Sequence, residues 1–182
     1  MAEIGIVTID TTDNSFEEVF AKYKDDVLRI LSNAFPTYYG DDYQLKRILE
    51  GQSMLFLAIV DGICVGVSYI KRNHRRGGTA VFPKQYRRMG IAEKLVRESL
   101  QLFPRQYTIL SVDNHRMLSL IEKIGFKKAQ SLQEIQDVAP NEFPELTDFE
   151  FSDGYFTFNR RSVRRGSVRE RLTFLHTYES TT

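Results

Sequence analysis

Thr79-Ala-Val-Phe-Pro-Lys-Gln-Tyr-Arg-Arg-Met-Gly-Ile-Ala92 decides how this chain is read. A β-branched and apolar run ends at Pro83, a loop carrying Lys84, Arg87 and Arg88 follows, and Met89-Gly-Ile-Ala92 opens a helical pattern. The order is strand, basic loop, helix start. The first turn of a helix leaves about four N–H groups without intrahelical partners and carries roughly half a positive charge, so it attracts an anion. Gly90 and Ala92 are small enough to let a diphosphate approach the main chain, and the three basic side chains add charge. An ordinary strand-to-helix connection has the same pattern, so a second signal is needed.

That signal is Asn114-His-Arg-Met117-Leu-Ser-Leu120-Ile121-Glu-Lys-Ile-Gly125-Phe126. Arg87-x-x-Gly90-x-Ala92 resembles the Q/R-x-x-G-x-G/A signature of the GNAT superfamily of N-acyltransferases, which bind acetyl-CoA. The later segment resembles the same family's N-x-x-A-x-x-L-Y-x-x-x-G-F, with the Asn-to-Gly spacing kept. The resemblance covers roughly residues 53 to 128.

The resemblance implies an α/β (α+β) fold. Its central mixed, mostly antiparallel sheet has six to seven strands, splays between strands 4 and 5, and is flanked by about four helices. It also implies acetyl-CoA as co-substrate. The pantetheine arm would lie in the splay against the main chain of strand 4 at Ala80 and Phe82. Arg87 heads the signature, Arg88, Met89, Gly90, Ile91 and Ala92 would offer N–H groups to the pyrophosphate, and Asn114 heads the second segment. The partners implied are acetyl-CoA and an amine acceptor, with a homodimer also expected.

Composition sets the bounds around this reading. With 182 residues, 42% hydrophobic and 27% charged, the chain has enough apolar material for one soluble domain. The apolar run Met54 to Val60 is far too short to span a membrane, and Met-Ala-Glu-Ile-Gly lacks the blocks of a signal peptide, so a cytoplasmic protein is expected. One cysteine, Cys64, sits in an apolar strand and reads as a buried thiol; with only three histidines, no metal site is expected. Charge is segregated. Glu134 to Asp153 holds seven acidic residues and no Lys or Arg, while Arg160 to Arg171 holds six arginines and one glutamate. The arginine-rich segment is either a patch for nucleic acid or an acidic partner, or a tail that folds onto the chain's own acidic loop. A boundary at residue 160 therefore separates a GNAT domain, 1–160, from a basic extension, 161–182.

The remaining elements follow from periodicity. Ile4 to Ile9 is a first strand, Ser15 and Glu18 form a capping box, and helical spacing runs from Phe16 to Phe35 with a break near Lys24. Pro36-Thr-Tyr-Tyr-Gly-Asp-Asp42 is a loop whose Tyr38 and Tyr39 are acceptor contacts by resemblance or anchors of the loop. Asp42 caps a short helix through Glu50. Met54–Val60 and Ile63–Ile70 flank Asp61-Gly62, a strong hairpin signal. A turn from Asn73 to Gly78 leads to a strand over Thr79–Phe82, then a helix from Met89 to Phe103 with Leu102 and Phe103 inside. Tyr107 to Val112 is the fifth strand, and a sixth, starting at Phe126, pairs with a seventh at Tyr155–Asn159. Residues 131 to 153 form a long loop or small surface helix. Beyond Arg160 comes a basic tail or a final strand around Leu172–Leu175.

Direct acyl transfer needs a neutral amine, a polarised thioester and a proton for the departing thiolate. The family's usual acid is a tyrosine on the short helix, where this chain has Ile121. Substitutes are Tyr69 on the third strand and Asp113, which alternation puts on the same side of the fifth strand as Ser111. His115 and His74 are further titratable groups, and Asp113 or Asn114 equally suits a helix N-cap. The leading expectation is an N-acetyltransferase. The alternatives are an inactive CoA-binding interaction protein and an enzyme acting on nucleic acid or a tRNA-borne amine.

Overall fold

The computed structural model describes residues 3–73, 75–138, 150–152, 155–162 and 166–177. The chain runs β1 (Gly5–Asp10), α1 (Phe16–Ala21), α2 (Lys24–Ala34), α3 (Tyr43–Glu50), β2 (Met54–Val60), β3 (Ile63–Lys71) and β4 (Arg76–Val81). After a 3-10 turn at Lys84–Tyr86 come α4 (Ile91–Leu102), β5 (Tyr107–Ser111), α5 (His115–Ile124), β6 (Lys127–Lys128) and α6 (Leu132–Val138). Then follow β7 (Glu150–Ser152), β8 (Tyr155–Ser162) and β9 (Gly166–His176). One mixed sheet holds them in the order β1-β2-β3-β4-β5-β9-β8-β7, with β6 paired to β9. Only β4 and β5 are parallel among the registered pairs.

The β2–β3 hairpin forms as its turn residues dictate: Asp61 has φ 50 and Gly62 φ 80, the two positive angles of a type I′ turn. One face of the sheet is covered by α1 to α3. Val27, Ile30 and Leu31 of α2 are fully buried against Leu55, Leu57, Val67 and Tyr69, each aliphatic side chain contributing about 1.5–3 kcal/mol by leaving water. The opposite face carries α4, whose Ile91 and Leu95 pack on Phe56, Ala58 and Val65. There α5 joins it, with Ile121 against Val96, Phe126 and Leu175.

Several local expectations are corrected. The helical run does break, into α1 and α2, but no capping box forms: the Ser15 N–H and hydroxyl both donate to Asp13 Oδ1, at 2.8 and 2.9 Å. Asp42 precedes α3 without capping it, because its carboxylate pairs with Lys46 at 2.8 Å. That pairing holds its carboxyl below the ordinary value. Strand β4 starts at Arg76, so Gly77 and Gly78 belong to the strand rather than the turn. Leu102 points outward, 54% exposed, because α4 ends there.

The largest difference lies at the C-terminal end. β6 pairs with β9, not with the Tyr155 strand, and β9 runs between β5 and β8. The final-strand alternative holds over Gly166–His176, and residue 160 falls inside β8. Among the described residues the sheet has nine strands and there are six α-helices, and the expected mixed, mostly antiparallel α/β architecture with one parallel pair holds. Residues 139–149, part of the expected acidic loop, and His74 lie outside the described residues.

Candidate active site

The corner between β4 and α4 is built from backbone geometry. Arg88 and Gly90 both adopt left-handed angles, φ 68 and 78. Gly90 is the N-cap of α4, with no side chain capping the helix. A Cβ placed on Gly90 would meet nothing within 4 Å. The glycine is required by its φ, and the space before the helix is open. Lys94 N–H donates to Gly90 O at 3.0 Å, so the N–H groups of Ile91, Ala92 and Glu93 precede the helical ladder. Lys84, Arg87, Arg88 and Met89 are exposed in the loop that leads to this helix start.

Below the corner the sheet splits. β4 and β5 share one registered pair, Arg76 with Tyr107. Tyr107 N–H donates to Arg75 O at 3.0 Å and the Thr108 hydroxyl to Gly77 O at 3.1 Å. Phe82 N–H donates back to Val65 O on β3 at 3.0 Å. Since successive residues of a strand turn their main-chain groups to opposite edges, those of Thr79 and Val81 face the gap. The expected Ala80 and Phe82 main-chain positions are thus displaced by one: their side chains pack against the cluster under α1 to α3, while Thr79 and Val81 hold the free edge.

On the α4–α5 side the split is backed by Val96, Met117, Ile121, Thr79 and Thr108. Ile121 is 2% exposed and part of the core. Asn114 is the N-cap of α5, its Oδ1 accepting from Met117 N–H at 3.4 Å. Its side-chain oxygen is committed to holding that helix.

The other side of the split carries Tyr69. It is 4% exposed, and its oxygen lies 2.5 Å from where a Cβ on Gly78 would sit. Only glycine lets the ring lie this close to β4. Gln44 Nε2 donates to the Tyr69 oxygen at 2.9 Å. Asp113 lies just past β5, exposed, its N–H donating to Ser111 Oγ at 3.4 Å. His115, first residue of α5, is exposed. Tyr38 and Tyr39 are 57% and 63% exposed on the loop before α3, and the Tyr39 ring stacks on Tyr43 at 4.8 Å.

Sequence reasoning missed Gln44, Gly78 and Glu170. Only the Gly77-Gly78 pair was a local signal, and it was absorbed into a turn. Glu170, hidden in the arginine run, is 8% exposed on β9. Cys64 is buried, with burial pushing its thiol up to about 12, so it is inert near neutrality. Two of the six arginines make contacts on the exposed surface of the sheet: Arg169 pairs with Glu150, and the Arg171 guanidinium stacks 4.1 Å over Tyr155. The side chains of Arg160, Arg161, Arg164 and Arg165 lie outside those described. Among the described residues there is no group of three His, Cys, Asp or Glu side chains that could hold a metal, and no helix is long and apolar enough to cross a membrane.

A parallel pair that splits beside an open helix start is the architecture of an acyltransferase, and comparison with known proteins agrees. A family model described as an acetyltransferase (GNAT) domain matches residues 11–139, and the chain belongs to that family. Similar solved structures include Arabidopsis thaliana NAA60 in complex with a bisubstrate analogue, 13% identical, with a TM-score of 0.61 and 96% of this chain and 98% of that one covered. The ribosomal-protein-S18-alanine N-acetyltransferase of Escherichia coli is 16% identical, with a TM-score of 0.57 and coverage of 96% and 93%. Ard1 of Thermoplasma volcanium is 17% identical, with a TM-score of 0.56 and coverage of 97% and 99%. At these identities the likeness is one of fold. No curated protein matches the chain in sequence.

Proposed function

We propose that this protein transfers an acetyl group from acetyl-CoA directly to an amine acceptor. The observation that carries the reading is the conjunction at one corner: an uncapped helix start facing open space, preceded by a loop with exposed Lys84, Arg87 and Arg88, beside a sheet that separates after one parallel pair. The pyrophosphate sits on the N–H groups from Arg88 to Ala92, and the pantetheine arm completes the free edge of β4 at Thr79 and Val81. Phe82 adds an apolar wall, and Asn114 acts as the cap that fixes α5. The acceptor enters from the face of Tyr38 and Tyr39.

The donor supplies a thioester. The amine nitrogen forms a C–N bond with the carbonyl carbon as the C–S bond breaks, the amine gives up a proton, and the thiolate takes one. Tyr69, held against Gly78 at the split, is the proton donor to sulfur. Asp113, at the exposed end of β5, accepts from the amine.

Acetyl-CoA in hundredfold excess over its dissociation constant stabilises a one-site protein by about 2.7 kcal/mol, which raises the Tm by about 5 °C or more. Gly90→Glu abolishes that rise, by forcing a side chain into φ 78 and a carboxylate into the anion's place. No rise in the parent protein overturns the assignment. A second reading, a CoA-binding protein without catalysis, is favoured by the burial of Ile121 where the family carries its acid. Thiol release that depends on added amine, tested across polyamines, amino acids, aminoglycosides, peptides and tRNA, separates the two.

A further inference from the structure

β4 and β5 are joined at their N-terminal ends, where Arg76 pairs with Tyr107 and the Thr108 hydroxyl donates to Gly77 O at 3.1 Å. From there the strands part, so the split has a closed end beside Gly77 and an open end at the α4 corner. On the helix side of the closed end lies a small cavity, bounded by Gly77, Gly78, Thr79 and Thr108 of the sheet and by Met117 and Ile121 of α5. Its volume is about 10 Å³, room for roughly one water-sized group. The sheet side cannot widen it: a Cβ on Gly77 would meet Ile70 Cδ1 at 2.9 Å and Gln106 Oε1 at 3.0 Å, so that space is already filled.

The polar side chains around the cavity are committed within the fold. Ser99 donates to Val96 O at 2.8 Å and Ser68 to Gly78 O at 3.2 Å, and the Ser68 and Thr79 oxygens share a hydrogen bond at 2.9 Å. The Gln106 amide donates to Phe103 O at 2.9 Å and to Ser99 Oγ at 3.3 Å. With those hydrogens taken, an anionic group placed there would leave water without gaining a donor. The remaining wall is apolar: Met117 and Ile121, four residues apart on one face of α5, with Val96 and Phe126 beside them. The Met117 N–H is held by Asn114 Oδ1 at 3.4 Å, so the cap of α5 fixes where this side chain starts.

We infer, resting on the proposed lie of the pantetheine arm along Thr79 and Val81, that this cavity takes the methyl of the donor's acetyl group and that Met117 limits the donor to a two-carbon acyl chain. The arm runs down β4 from the corner to the closed end, so its thioester arrives beside Gly78 and Thr79 with the acyl tail toward α5. A methyl fills the space. Each further carbon has to displace the Met117 or Ile121 side chain, and overpacking of that kind weakens binding about 10-fold or more. Truncating Met117 opens room for a longer tail, and each methylene that leaves water for apolar surroundings then tightens binding roughly fourfold.

The test measures dissociation constants of CoA, acetyl-CoA, propionyl-CoA and butyryl-CoA by calorimetry on the full chain, so no acceptor has to be known. The parent is compared with Met117→Ala, Met117→Leu and Ile121→Val, each well below its own Tm. The parent binds butyryl-CoA about 10-fold more weakly than acetyl-CoA, with propionyl-CoA between them. Met117→Ala brings butyryl-CoA to at least the affinity of acetyl-CoA. Met117→Leu, close to the parent in volume, keeps the parent order, and Ile121→Val, one methyl smaller in the same wall, shifts the ratio toward butyryl-CoA about threefold. Equal or tighter binding of butyryl-CoA by the parent overturns the cavity as the acyl site. An unchanged ratio in folded Met117→Ala overturns the role of Met117, and if that variant does not fold, an unchanged ratio in Ile121→Val overturns the inference in its place. Failure of all four ligands to bind the parent is a different result, which overturns the CoA reading and this inference with it.

Discussion

At the β4–α4 corner the groups turned toward open space are main-chain N–H groups, whereas what α5 brings to the split is the packed side chains of Met117 and Ile121. The corner keeps its geometry with Met89 and Arg88 in the loop because backbone donors do not depend on side-chain chemistry. The helix has no such tolerance. Once its tyrosine position holds isoleucine, that surface can only pack, and Ile121 does so against Val96, Phe126 and Leu175. Backbone and side-chain determinants thus rest on different atoms, and a sequence can lose one while retaining the other. The hydroxyl packed against Gly78 belongs to the sheet, at Tyr69.

The contrast can be broken first at α5. Ile121→Ala empties a fully packed site and costs about 2–4 kcal/mol, measured by urea unfolding; it leaves the affinity for acetyl-CoA within a few-fold, because the corner is untouched. Loss of binding in a folded variant would merge the two regions into one. Asn114→Ala removes the cap of α5 and costs about 1 kcal/mol, again without removing the rise in Tm that acetyl-CoA produces.

At the corner the sign reverses. Arg88→Gly relieves a left-handed angle at φ 68, and stabilises the fold by about 0.5 kcal/mol after the entropy cost of glycine is set against the relief. The same change weakens acetyl-CoA binding by subtracting a charge, so stability and affinity move in opposite directions.

The smallest effect links the two regions. Glu93, in the first turn of α4, accepts from Arg97 at 2.8 Å and from Lys123 of α5 at 3.1 Å; the Arg97 bond first, then Lys123, holds its carboxyl below the ordinary value. A depressed carboxyl stabilises the fold above its unfolded value of 4.5 and loses that contribution as pH falls through the lower folded value. Lys123→Ala therefore lowers the Tm slightly at pH 7 and not at all at pH 2, read by thermal melts at the two values.

What could be read from the sequence follows the range of the forces involved. The Asp61-Gly62 turn and Gly90 at a helix start were legible because each depends on the φ of one or two residues. The Ser15 capping box failed although its motif is local, since Asp13 offers the same hydroxyl a nearer acceptor. The displacement from Phe82 to Val81 at the free edge was invisible because it depends on which residue β3 engages, a matter of register across the sheet. Gln44 against Tyr69, and β9 between β5 and β8, join residues far apart in sequence, where periodicity carries no information about partners.

The place of β9 has a consequence for synthesis. When β5 leaves the ribosome its outer edge has no neighbour, and the strand that will cover it, Gly166–His176, is made more than fifty residues later. During that interval the nascent chain holds a finished β1–β4 layer and a bare ladder of hydrogen-bonding groups along Tyr107–Ser111, the kind of edge on which other chains aggregate. The sheet therefore closes over β5 only once Gly166–His176 has been made, and a chain truncated before Gly166 leaves the Tyr107–Ser111 edge uncovered.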